Sequence, residues 1–175
     1  MAISMHSASV PVFVRMLGNV LASFDKAEAN AQARKFDPQV LLAARLAPDM
    51  LPLTKQVQIA CDSAKFCVAR LSGGDSPKFE DNETTFEQLR ERIRGTIAYL
   101  ESVPAQAIDG SEARDISVPR RDGAMAMSGE SYLKQFSLPN FFFHVTTVYA
   151  LLRHSGVELG KSDYLGSLPP ARRAE

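Results

Sequence analysis

The stretch LPNFFFHVTTVYALLRHSGVELGK, residues 138–161, decides the fold. Leu138-Pro139-Asn140 opens it with a proline in a first turn, where the missing N–H is tolerated. Phe141, His144, Val145, Val148, Leu151 and Leu152 then recur three and four apart, the stripe of an amphipathic helix, and Gly156 ends it after His154-Ser155. A one-sided helix must bury its stripe against others, so this segment asks for a shared helical core. His144 lies on the buried face beside Val148 and Leu151, and a buried imidazole has to find a partner. A structural hydrogen bond across the core is favoured over a ligand or proton-transfer role. His154 stands ten residues on, roughly 15 Å of helical rise away, too far to share a metal with His144. It is expected at the carbonyls of the helix C-terminus.

Three more long helices are predicted upstream. Overlapping capping boxes at Thr84-Thr85-Phe86-Glu87-Gln88 precede Phe86, Leu89, Ile93, Ile97 and Leu100, which keep the helical period until Pro104. A helix from Asp49 or Met50 to Leu71 groups Val57, Ala60, Cys61, Ala64, Val68 and Leu71 on one side and stops at Ser72-Gly73-Gly74. The first helix, Pro11 to Ala31, carries Phe13, Met16, Leu17, Val20, Leu21, Phe24 and Ala27, with Ser9 available as its cap. A short connector helix starts at Asp37-Pro38, includes Leu41, Leu42 and Leu46, and stops before Pro48. Between Pro104 and Pro139 the period changes to an alternation of Ile116 and Val118 with Met125 and Met127 around Arg121-Asp122-Gly123, a small hairpin. The expected fold class is all-α: a four-helix bundle with a connector helix and a β-hairpin between the third and fourth long helices. Leu159, Tyr164 and Leu165 are placed to pack back on it. Residues 1–166 form one domain in this reading, and 167–175, with Pro169-Pro170-Ala171-Arg172-Arg173, have the composition of a flexible tail.

Lys plus Arg and Asp plus Glu both total 20, so no global field favours nucleic acid or an anionic membrane. Cys61 and Cys67 share a helix with roughly 9 Å between their Cα atoms, beyond disulfide reach. Unpaired thiols, no basic-then-apolar leader at Met1 to Val10, and an apolar run (Phe141 to Leu152) broken by His144, Thr146 and Thr147 together predict a cytoplasmic location with no membrane span.

The motif-like strings are weak. Gly160-Lys161-Ser162 lacks the spacing and the preceding strand of a phosphate loop. Gly129-Glu130-Ser131 has Leu133 where a nucleophile elbow needs glycine, so a helix cap at Ser128 or Ser131 is the better reading. Arg90, Arg92 and Arg94, interspersed with Glu87 and Glu91, read as a solvated helix face with intrahelical pairs, and Arg120 and Arg121 as exposed turn residues. Asp62 lies off the main apolar arc, near a second strip formed by Ile59 and Phe66, where it either faces a cleft or is a plain boundary residue paired with Lys55, Lys65 or solvent. Gln58 and Tyr149 occupy similar boundary positions.

The 138–161 string followed by Asp163-Tyr164-Leu165-Gly166, together with Leu46-Ala-Pro-Asp-Met-Leu-Pro-Leu and Gln56-Val-Gln-Ile-Ala-Cys-Asp62, resembles an uncharacterised bacterial family within the DinB/YfiT-like superfamily. The resemblance runs from the first helix to about Gly166. It implies a four-helix bundle, often dimeric, whose better-known members hold a divalent metal with one histidine from the second helix and a His-x3-His pair on the fourth. This chain departs from that set. With His144 as the first of the pair, Val148 takes the second place; with His154 as the second, Ala150 takes the first; and the Asp49 to Leu71 helix has no histidine. One imidazole is too few ligands for zinc or nickel, so neither metal nor cofactor is expected. Three functions stay open. One is a metal-free pocket of His144, Asp62, Gln58 and Tyr149 for a small polar ligand. Another is an enzyme, either a degenerate metal-assisted transferase or hydrolase or one using His144 as a base oriented by Asp62. The third is a homodimeric assembly role.

Overall fold

The computed structural model describes residues 3–120 and 122–167. In chain order, α1 (Val10–Arg34) is followed by a 3-10 turn (Pro38–Ala43), α2 (Leu53–Ser72), α3 (Phe86–Ser102) and the short α4 (Ala105–Ile108). The strands β1 (Asp115–Arg120) and β2 (Gly123–Ser128) come next, then α5 (Gly129–Ser131), a π-helical turn (Tyr132–Ser137), α6 (Leu138–His154) and α7 (Lys161–Leu165). The protein is thus mostly helical with one small antiparallel sheet. Both α1 and α2 pack against α3 and α6, and α2 with α6 form the most extensive of these contacts.

The predicted stripes are the ones that meet. Phe13, Leu17 and Phe24 of α1, Val57 and Leu71 of α2, Leu89 and Ile93 of α3, and Phe141 and Leu152 of α6 are all fully or almost fully buried. Edge-to-face ring pairs tie the helices together, Phe13 with Phe141 at 4.7 Å and Phe24 with Phe86 at 4.8 Å between centroids. Among the described residues no helix is long and apolar enough to cross a membrane.

Several helix ends differ from expectation. α2 begins at Leu53 rather than Asp49 or Met50, because Pro52 keeps Leu51 out of helical geometry. The connector is a 3-10 turn capped by Asp37 that ends at Ala43, so Leu46 lies beyond it with 40% of its surface exposed. Ser9 precedes α1 but does not cap it; its hydroxyl donates to the Met5 carbonyl instead. Of the two capping boxes, the one at Thr85 and Gln88 forms. His154 is exposed at the end of α6, and the carbonyl role expected of it falls to Ser155, whose hydroxyl donates to Leu151 O at 2.8 Å. The five-residue α7 follows Gly160, with the Asp163 carboxylate accepting from the Gly160 N–H. At the end of α2 the chain turns through Gly73 at φ +73°, a left-handed conformation that a Cβ disfavours.

The hairpin pairs Ile116 with Met127 and Val118 with Met125, placing Ile116 and Val118 against the core. Gly123 is not part of the two-residue loop: it pairs with Arg120 as the first residue of β2. Arg121 lies outside the described residues, as does the predicted tail from Leu168 onward. The hairpin leads straight into a cap: Ser128 Oγ accepts from the Ser131 N–H, the role read from Gly129-Glu130-Ser131. Gly129 is required there by space, since a Cβ would lie 2.0 Å from the Ser111 carbonyl oxygen.

The helical winding upstream of α6 was not predicted. From Gly129 to His154 the chain stays helical, passing through the wider π turn. Pro139 has no N–H to close a bond onto Gln135 and its ring crowds that carbonyl; a widened preceding turn relieves the conflict.

Candidate functional site

The four polar residues singled out from the sequence do not converge. His144 is 7% exposed, on the face of α6 turned to α2, and its Nδ1 lies 2.7 Å from Gln56 Oε1. Gln56 Nε2 donates to the Leu51 carbonyl, so its oxygen is left to accept. That assigns the proton to His144 Nδ1 and the lone pair to Nε2. Burial holds the imidazole pKa below its ordinary value, so the ring is neutral at pH 7.

Asp62 and Gln58 belong to a different assembly, on the side of α2 facing α3. Arg92 is buried there, its Nη2 donating to Asp62 Oδ1 at 2.9 Å and its Nη1 to Glu83 Oε1 at 2.9 Å, with Asp81 at 3.1 Å. Lys65 Nζ meets the same Asp62 oxygen at 2.9 Å, and Gln58 Nε2 donates to Glu83 Oε2 at 2.6 Å. Burial opposes the charge on Arg92, but Glu83 and Asp62 hold its pKa above the usual value. The solvated arginine face expected on this helix is therefore corrected at two of its three positions. Arg90 and Arg92 are 7% and 3% exposed and pair across helices, Arg90 with Asp25 and Glu28 of α1; Arg94 stays outside with Glu87. A base at His144 oriented by Asp62 is absent, because Asp62 is committed to Arg92 and Lys65 while Gln56 takes the imidazole.

Tyr149 lies elsewhere again, its ring edge-on to Tyr164 of α7 at 5.8 Å, in a crevice shared with Asn19 and Val20 of α1 that is too small for a ligand.

A roomier space opens where the second apolar strip of α2 faces the hairpin and the π turn. Ile59, Ser63, Phe66 and Arg70, at helical spacing, form one wall of a cleft of about 230 Å³, with Asp62 on its edge. Val118, Tyr132, Phe136 and Asn140 complete it. Arg70 lies over the Phe66 and Tyr132 rings, 5.2 and 5.6 Å from their centroids, and its Nη1 donates to the Tyr132 hydroxyl at 2.9 Å. Asn140 Nδ2 donates to Ser63 Oγ at 2.7 Å, leaving an amide oxygen and a hydroxyl hydrogen unused. Ser137, 1% exposed, also lines the cleft, its hydroxyl turned toward the Cys67 thiol and the Tyr132 hydroxyl. Behind it Cys67 is inert, its thiol pushed by burial up to about 12. Sequence reading reached Ile59, Asp62 and Phe66. It missed Arg70, Tyr132 and Asn140, whose alignment depends on the unpredicted π turn; the i, i+4, i+7, i+11 spacing from Ile59 to Arg70 was the available signal.

The family profile of DUF1993, a domain of unknown function, matches residues 5–165. The chain belongs to this family. Its DUF1993 fold is similar to that of a DinB family member protein from Shewanella denitrificans, with 43% sequence identity, a TM-score of 0.88, and coverage of 95% of this chain and 94% of that one. Among curated proteins, none matches the chain. The resemblance to DinB-like proteins is thereby upheld, and the histidine metal centre it implies can be tested on this DUF1993 chain. Gln56 is the residue of the second long helix that meets His144, and Val148, buried, stands one turn beyond. Among the described residues no three His, Cys, Asp or Glu side chains are grouped to hold a metal ion. An amide already hydrogen-bonded to the one imidazole, with a valine beside them, does not fit a divalent metal.

Proposed function

We propose that this chain is a DinB-like four-helix bundle working as a metal-free binding module, with the cleft between α2, the hairpin and the π turn as its ligand site. The observation that carries the reading is the spare hydroxyl hydrogen of Ser63 and spare amide oxygen of Asn140 inside a cleft with apolar walls. Apolar walls with a few convergent polar groups are the usual make-up of a small-molecule site. Metal-assisted transfer or hydrolysis finds no grouped donor set among the described residues, and a reaction with His144 as base loses its orienting carboxylate, because Asp62 is held by Arg92 and Lys65. The apolar face where Leu46 and Phe143 are 40% and 56% exposed, beside Met50, supports a homodimer. Two buried, unpaired cysteines suit a reducing compartment such as the cytoplasm.

A thermal-shift screen across acidic, basic and neutral small molecules tests the site. At a hundred times its dissociation constant, a cleft ligand adds about 2.7 kcal/mol and raises Tm by several degrees. The shift should vanish in a Ser63→Phe variant, whose ring fills the cleft. Stabilisation of both proteins alike, or of neither by any compound, contradicts the assignment.

A further inference from the structure

The ionic groups around the cleft are not evenly matched. On the α3 side of α2, the cations Lys55, Lys65 and Arg92 face the anions Asp62, Asp81 and Glu83, three against three. Arg70 stands apart from that set: among the described residues it has no carboxylate partner, and the Tyr132 hydroxyl, a neutral acceptor, takes only Nη1. A half-buried guanidinium clamped between two rings, with Nε and Nη2 unused, is a preorganised receptor for a planar anion, because its fork matches the two oxygens of a carboxylate. One unmatched positive charge suits a monoanion better than a phosphate dianion. Phe66, Tyr132 and Phe136 offer flat apolar walls, and about 230 Å³ holds on the order of ten packed non-hydrogen atoms. Seven residues along α2, roughly 10 Å from Arg70, Ser63 and Asn140 present a spare hydroxyl donor and a spare amide acceptor, the pair that a neutral hydroxyl uses.

We infer that the cleft takes a small aromatic monocarboxylate, its carboxylate on Arg70, its ring between Phe66 and Phe136, and a distal hydroxyl on Ser63 and Asn140. This rests on the cleft being the ligand site, as proposed above, and adds the chemical class. Nothing in the site would transform the ligand: the neighbouring thiol is sealed and protonated, and His144 lies on another part of α2's surroundings, bonded to Gln56.

The probe is 4-hydroxybenzoate, titrated into the full chain by calorimetry and by amide NMR, with 4-hydroxybenzamide as the uncharged isostere. Binding is expected for the acid, with amide shifts concentrated at Ser63, Arg70, Val118 and Asn140. The benzamide, and the acid against Arg70→Gln, should each bind about ten- to a hundredfold more weakly, the loss for one charge-assisted hydrogen-bonded pair. Arg70→Lys, keeping the charge without the fork, should fall between. Because Arg70 also touches Tyr132, the benzamide comparison on unaltered protein guards against a variant that simply misfolds. Equal binding of acid and benzamide, or shifts clustered away from the cleft, overturns the assignment. If neutral or basic compounds from the screen fill the cleft while 4-hydroxybenzoate does not, the carboxylate class falls and the binding module stands. If no compound enters the cleft, both fall together.

Discussion

Replacing Arg92 with methionine should cost the fold about 3–5 kcal/mol, the usual loss when one partner of a buried ion cluster is removed. The side chain is 2% exposed and joins Asp62 of α2 to Asp81 and Glu83 of the loop before α3, so its removal strands the Glu83 carboxylate, only 8% exposed, and takes a partner from Asp62, which is 29% exposed. Lys65 on Asp62 and Gln58 on Glu83 remain and place the loss nearer the lower end of that range. Arg94, two residues along, is the control. Its side chain and that of its partner Glu87 are 59% and 65% exposed, and Arg94→Met should change stability by less than about 0.5 kcal/mol. Urea unfolding of the two variants separates the cases, and equal midpoints would show that the cluster does not hold α2 to α3.

The three consecutive phenylalanines of the opening motif make the second large contrast. Phe141 is fully buried, edge-on to Phe13 of α1, and Phe141→Ala should destabilise by about 3–5 kcal/mol through lost burial and an unfilled cavity. Phe143, 56% exposed, should cost less than about 0.5 kcal/mol as alanine. Its effect should lie in assembly: if the Leu46–Phe143 face joins two copies, light scattering of Phe143→Ala reports monomer where the wild type reports dimer. A wild-type monomer at high micromolar concentration removes the dimer.

That contrast also locates what was legible in the sequence. Stripes of residues three and four apart report which face is buried, so Phe141, His144, Val148 and the helices they require could be read directly, and glycine and proline marked most of the ends. What periodicity cannot report is the partner of a polar residue on such a stripe. Arg92 reads as surface because arginine is rarely buried, yet three acids, one from α2 and two from the loop before α3, neutralise it. His144 was correctly placed inside, but Gln56, 88 residues away, was not foreseeable as its acceptor. The cleft was half legible, from Ile59 and Phe66, because its other wall depends on a π turn that follows from proline sterics rather than from any pattern of apolar residues.

A metal-free bundle requires His144 to be a neutral imidazole bonded through Nδ1–H to Gln56 instead of a metal ligand. Long-range proton–nitrogen NMR of the histidine side chains, assigned with a His144→Asn variant and recorded with and without equimolar Zn²⁺, reads this directly. The prediction is a neutral Nδ1–H tautomer at pH 7 that titrates below the ordinary histidine value of 6.5 and keeps its nitrogen shifts when zinc is added. An Nε2–H tautomer, or zinc-induced displacement of the His144 signals, would contradict it.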